Sequence, residues 1–169
     1  MKIRFAILCS IVLFIVSCSE EEDYEKGVYI QNFEGWKYWK AESSITDSTC
    51  HTGVYCTQLG SWQEYSPTFI MPYKEIADKK YRIVKVTAWG RLPESDADVK
   101  MVIAIDAPGI KNISWVSSQF VANNKWQKTE VHQAFPDEQL PEGTEFKVYA
   151  WTSNKKGAFI DDVKITFIK

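Results

Sequence analysis

From residue 28 onward, apolar and polar residues alternate in short runs broken by turn residues. The alternation has period two, which places successive side chains on opposite faces of a strand. It predicts strands over 28–33, 37–41, 54–59, 67–73, 81–91, 98–106, 113–121, 126–135, 145–152 and 158–168. These runs are rich in Val, Ile, Tyr and Trp, which suit a pleated, half-buried surface. The stretches between them ("PESD", "DAPG", "NN", "PDEQLPEG", "SNKKG") supply the turn-forming residues. No segment after residue 27 holds a helical period over three turns, and no internal repeat is present. The pattern predicts an all-β sandwich over 28–169, as one domain.

Several predicted strands have two distinct faces. Val84, Val86 and Ala88 oppose Lys85, Thr87, Trp89 and Arg91, and Phe146, Val148 and Ala150 oppose Lys147, Tyr149 and Trp151. Trp115 shares its row with Ser117 and Gln119. Trp89, Trp115 and Trp151 thus stand in rows that are otherwise polar. Each could be a lid on the edge of the core; together they suggest an exposed aromatic platform, and contiguous exposed apolar surface marks a binding site. The last run poses a problem. Its apolar row reads Phe159, Asp161, Val163, Ile165, Phe167, and a carboxylate in a core row must be paired, hydrogen-bonded or metal-bound.

The first residues carry a different pattern. Lys2 and Arg4 precede an apolar run from Phe5 to Val16, followed by Ser17-Cys18. The run is shorter than the roughly 20 residues that span a membrane, and its layout is that of a secretory signal peptide over 1–17. "IVSC" resembles the lipobox of bacterial lipoproteins, which implies lipidation at Cys18 and attachment to a membrane. "SEEED" after it resembles the acidic export tag of Bacteroidetes surface lipoproteins. Residues 18–27 then form a lipidated tether, and the expected location is the outer membrane or cell surface. Several buried acyl chains hold a protein firmly, at about 0.8 kcal/mol per methylene.

Composition narrows the partners. The full chain carries a formal charge of −2, and no basic block or stripe interrupts it, so nucleic acid is not an expected partner. Its 7 tryptophans are more than a core of this size requires and point to a ligand. In an oxidising compartment, Cys50 and Cys56 of "CHTGVYC" are expected to bridge. A zinc site with His51 is the rival, although two thiols and one histidine fall short of the usual four ligands.

"QNFEGWKYW", "CHTGVYCTQL", "YRIVKVTAWGR", "NNKW" and "FKVYAWTSNKKGAFIDDVKITF", in that order, resemble the galactose-binding-like β-sandwich. This is the jelly roll of many carbohydrate-binding modules. The resemblance implies a structural calcium ion held by Glu34, by backbone carbonyls around His51 to Gly53, and by Asp161. Calcium takes six to eight oxygens, which separate strands can supply. Two other readings of Asp161 stay open: it caps backbone N–H groups, or the parity is off and it faces outward.

The expected function is non-catalytic binding of a polysaccharide or oligosaccharide. Aromatic side chains stack on sugar faces, and a few polar groups set orientation. The candidates are Trp62, Trp89, Trp115 and Trp151 for stacking, with Glu64 and Arg91 as polar partners. Trp36, Trp39 and Trp126 lie nearer strand starts and suit core packing equally well. A surface protein partner is the alternative, since interfaces also favour Trp, Tyr and Arg. An enzyme is not expected. His51 and His132 sit in no motif with a nucleophile, Ser117 and Ser118 have no nucleophile elbow, and neither Glu64 nor Glu130 has an identifiable second carboxylate.

Overall fold

The alternating runs pair into two antiparallel sheets in a computed structural model that describes residues 23, 26–34, 39–40 and 44–169. The signal peptide, Cys18, most of the acidic tether and Trp36 lie outside the described residues. The strands are β1 (Val28–Gln31), β2 (Trp39–Lys40), β3 (Ile45–Thr46), β4 (Cys56–Leu59), β5 (Thr68–Pro72), β6 (Ile83–Arg91), β7 (Val99–Ala107), β8 (Ile110–Gln119), β9 (Gln127–Ala134), β10 (Glu145–Thr152) and β11 (Ala158–Ile168). A six-stranded sheet runs β3-β4-β11-β6-β9, with β1 also on β11. A five-stranded sheet runs β2-β5-β10-β7-β8.

Three elements depart from the sequence reading. Strand β3, only Ile45–Thr46, lies outside the predicted runs, since two residues are too few for an alternation to register. Tyr73–Asp78 forms a helix, α1, of six residues. It buries only Tyr73 and Ile76, too few positions for a 3.6-residue period to register. Strand β8 starts at Ile110 because Pro108-Gly109 turns the chain in two residues, with Ala107 opposite Ile110 and Gly109 at φ +76°. Only glycine takes that angle without strain.

The inner rows of both sheets meet in one core. Phe69, Phe146, Val148, Met101, Ile103 and Ile105 face Val84, Val86, Val131, Ile160, Ile165 and Phe167. Aromatic contacts cross the interface: Phe146 lies 5.4 Å from Phe167, and Tyr29 lies 5.2 Å from Phe69, centroid to centroid. The core therefore fixes how the two outer faces are presented.

The structure resolves the Asp161 problem through a β-bulge. Asp161 pairs with Trp89 and Lys164 with Thr87, so Asp162 and Val163 together oppose Ala88. Asp162 takes φ +48° to accommodate the extra residue. A bulge of this kind shifts the side-chain parity by one. Before it Ala158 and Ile160 face the core; after it Val163, Ile165 and Phe167 do. Asp161 belongs with Trp89 on the outer face, and the expectation of a single inward row through Phe159 and Asp161 is corrected.

Gly90 shows how tightly the sheets close. A Cβ there would collide with the Phe120 ring. Gly90→Ala should lower the unfolding free energy by about 1–3 kcal/mol, the usual range for overpacking. In a Phe120→Leu background the same change should cost clearly less; equal penalties in urea unfolding of the two backgrounds would refute the contact.

Candidate functional site: the outer face of the five-stranded sheet

The outward rows of β10, β7 and β8 carry the aromatic residues that the sequence placed among polar neighbours. Register aligns Tyr65, Trp151, Lys100 and Gln119 in one row across the sheet. Tyr149, Val102 and Ser117 form the next, and Ile70, Lys147, Ala104 and Trp115 the one after. Val102 and Ala104 point away from the core, yet they are 0% and 1% exposed. Large side chains of this face cover them, so the two small residues are the floor of an aromatic surface.

Each ring has a positional cause. The segment after β4 turns tightly at Gly60–Gln63 and then runs beside the end of β10. Ser66 and Ala150 exchange hydrogen bonds, and the Thr152 N–H donates to the Glu64 carbonyl at 3.0 Å. This lays Tyr65 against Trp151, with ring planes 16° apart and centroids 6.4 Å apart. Tyr65 also meets Tyr149 edge-on at 5.7 Å. The Lys100 ammonium stands 5.6 Å from the Trp151 ring centre, within cation–π range. Burial pushes the Tyr149 phenol above its usual pKa, so the hydroxyl stays neutral, and the Trp115 indole approaches it. Trp62, Tyr65 and Trp115 are 55%, 45% and 40% exposed, so their rings are open to a ligand.

Among the described side chains, the lysines of this face are paired locally. Lys147 bonds Asp106 at 3.1 Å and Glu145 at 3.0 Å. Lys100 is 3.3 Å from Asp98, and Lys155 is 3.0 Å from Glu64. What remains is an aromatic surface edged with hydroxyl, amide and paired ionic groups.

No family model matches the sequence, and no curated protein matches it. Solved structures do resemble it. The CBM22-1 xylan-binding domain of Paenibacillus barcinonensis Xyn10C superposes with a TM-score of 0.55 at 18% identity, over 83% of this chain and 94% of that one. The C-terminal family 22 carbohydrate-binding module of Clostridium thermocellum Xyn10B gives 0.54 at 15% identity, over 87% and 96%. A family 16 carbohydrate-binding module gives 0.51 at 12% identity, over 76% and 89%. The fold is that of these modules. The module fold is thus established on structural likeness, as the jelly-roll sandwich that the sequence resembled.

On this module fold the predicted site residues divide between two faces. Trp115 and Trp151 share the outer face of the five-stranded sheet, and Trp62 and Glu64 lie in the 60–66 segment beside it. Trp89 and Arg91 do not join them: both face outward from β6, in the opposite sheet. The single platform of Trp89, Trp115 and Trp151 is corrected on this point. Trp39 packs in the core, whereas Trp126 meets His51 on the Trp89 side. Tyr65 and Tyr149 were missed as site residues. Tyr149 could have been found, since it is two positions from Trp151 in the same row; Tyr65 sits in a loop where no period operates.

Glu34 and Asp161 do converge on one loop, as the resemblance implied, and the chemistry facing them is N–H. Cys50 and Cys56 are joined in a disulfide that closes this loop, which leaves no thiolates for zinc. Asp161, 0% exposed, accepts the His51 and Thr52 N–H groups on Oδ2 at 2.9 and 3.1 Å and the Asp162 N–H on Oδ1 at 2.8 Å. Glu34 Oε1 accepts the Val54 and Tyr55 N–H groups at 2.7 and 2.9 Å. It packs so close to Gly53, at φ +60°, that a Cβ would meet it at 2.5 Å. Among the described residues, no three or more His, Cys, Asp or Glu side chains are gathered to hold a metal. As arranged, the bonds to Asp161 and Glu34 form a staple that fastens the disulfide loop to β11.

Burial raises the Asp161 carboxyl to about pH 6, against the N–H bonds that lower it. A raised carboxyl pKa means that the folded chain binds more protons than the unfolded chain between about pH 4 and 6. Its contribution to stability is therefore fullest below that window and lost as pH rises through 6. The unfolding free energy of wild type relative to Asp161→Asn should be larger at pH 4.5 than at pH 7.5, by about 2 kcal/mol. A calcium-bound carboxylate requires the reverse slope and a melting temperature that falls with chelator, so calorimetry at the two pH values decides between them.

Proposed function

We propose that the domain is a non-catalytic carbohydrate-binding module that holds a neutral polysaccharide chain on the outer face of its five-stranded sheet. The observation that carries this reading is the aromatic surface of Tyr65, Tyr149, Trp151 and Trp115 over the Val102–Ala104 floor. Sugar rings present weakly apolar C–H faces that such rings cover, while the hydroxyl rims need polar partners. Ser117, Gln119 and Glu64 stand in or beside the same rows. Paired charges make the face neutral, which suits an uncharged chain. The solved modules of the same fold, described as xylan-binding, support xylan as the first ligand to try.

In this reading the module is held at the cell surface by lipid on Cys18, with residues 18–27 as its tether. Incorporation of labelled fatty acid, lost in Cys18→Ala, tests the anchor apart from the ligand.

Affinity electrophoresis of the purified chain through gels containing neutral polysaccharides tests the binding face. Wild type should be retarded by xylan or a related β-linked glycan. Trp115→Ala and Trp151→Ala should each weaken retention roughly tenfold, or about 1.4 kcal/mol, while Trp89→Ala retains it. No retardation across neutral glycans, or loss through Trp89→Ala but not Trp115→Ala, would overturn the reading.

A further inference from the structure

The residues left out of the neutral face form a second constellation on the opposite side of the sandwich. His51 lies over the Trp89 ring, with planes 16° apart and centroids at 4.1 Å, and meets Trp126 edge-on at 5.4 Å. Its Nδ1 is 2.6 Å from Asp162 Oδ2, and the Thr52 hydroxyl donates to Asp162 Oδ1. The three rings are partly buried and fixed by these contacts, so a ligand meeting them finds a surface already in place.

Three cations surround this cluster. Lys128 is the cross-strand partner of Trp89 on β9. Arg91 lies two residues beyond Trp89 on the same outer face, and its Nε–H donates to Asn124 Oδ1 at 3.0 Å. Lys125 stands in the turn between Asn124 and Trp126. Among the described residues, none of the three makes an ion pair. The nearby acids are already engaged: Asp162 by His51 and Thr52, and Glu130 by Lys85 and His132. Asp161 is sealed beneath the loop. On the other face Lys100, Lys147 and Lys155 are each paired, whereas these three are uncompensated among the described residues.

We propose that the outer face of the six-stranded sheet is a second binding site, for an acidic polysaccharide whose sugar rings bear carboxylates. The His51–Trp126 surface supplies apolar contact for a ring. Arg91 and Lys128 are diagonal neighbours across the β6–β9 pair, about 7–8 Å apart at the backbone, so that they bracket it. The Asn124 bond uses one of the five N–H donors of the guanidinium, and the remainder offer the fork geometry that a carboxylate accepts in pairs. Lys125 adds charge at the rim. The module then has two faces with different tastes: neutral glycan on the five-stranded side and acidic glycan on the six-stranded side.

The probe is polygalacturonate, in affinity gels run at low and high salt beside xylan gels. Arg91→Gln with Lys128→Gln changes only exposed or partly exposed side chains and leaves the His51–Trp89 stack intact, so folding is not at stake. Wild type should be retarded by polygalacturonate at low salt, with retention falling at least tenfold in 0.5 M NaCl as screening predicts. The double variant should lose at least tenfold in polygalacturonate retention with xylan behaviour unchanged, and Trp115→Ala should show the opposite pattern. No retention of wild type by polygalacturonate, or equal retention of the double variant, would overturn the second site without touching the neutral face. Charge-dependent binding to phosphatidylglycerol vesicles with none to polygalacturonate would also overturn it, in favour of a lipid surface.

Discussion

Strand β11 is the constraint on which the six-stranded sheet depends. It pairs with β6 along one side and with β4 and then β1 along the other. A bulge in its middle changes which residues face inward, so the strand that closes the core also turns a carboxylate toward the disulfide loop. Asp161 then gathers three amide hydrogens, and Glu34 gathers two more from the far side of the same loop. Buried N–H groups must find acceptors, and this loop finds them in two carboxylates contributed by both ends of the chain. The loop in turn sets His51 on Trp89.

The two outer faces follow from a core that locks the sheets together. Phe69, Phe146 and Phe167 interdigitate between them, so neither face can repack without disturbing the other. That rigidity suits binding: rings held by the fold lose little freedom when a ligand arrives. Tyr65 illustrates the point, since it sits on a loop that would otherwise be mobile and is tied to β10 through Glu64 and Ser66. The faces differ mainly in electrostatics: Arg91, Lys125 and Lys128 make no ion pair on the six-stranded side among the described residues, whereas Lys100, Lys147 and Lys155 are paired on the other.

Strand positions were legible in the sequence because alternation is a local property. Ten runs predicted from it coincide with strands, within a few residues at their ends. The face that each residue takes was also legible for β6 and β10, where no extra residue interrupts the strand. It failed at Asp161 because a bulge is one extra residue with no compositional marker, here an aspartate rather than a glycine at positive φ. The platform was misassembled for a different reason. Alternation says which residues share a face of a strand, but not which sheet the strand joins. That depends on long-range crossovers, so Trp89 was grouped with Trp115 and Trp151 although β6 lies in the other sheet. Tyr65 was missed because its position is set by pairing with β10 through a loop and by no periodic signal.

The central claim is that the five-stranded face receives a neutral glycan. Indole N–H resonances in a 15N-labelled sample, followed as a neutral xylo-oligosaccharide is added, report on it most directly, because the tryptophans are distributed between the two faces and the core. The account predicts progressive, saturable shifts for Trp115 and Trp151, with Trp39, Trp89 and Trp126 unmoved. Shifts confined to Trp89 and Trp126, or none at any indole at saturating sugar, would contradict it.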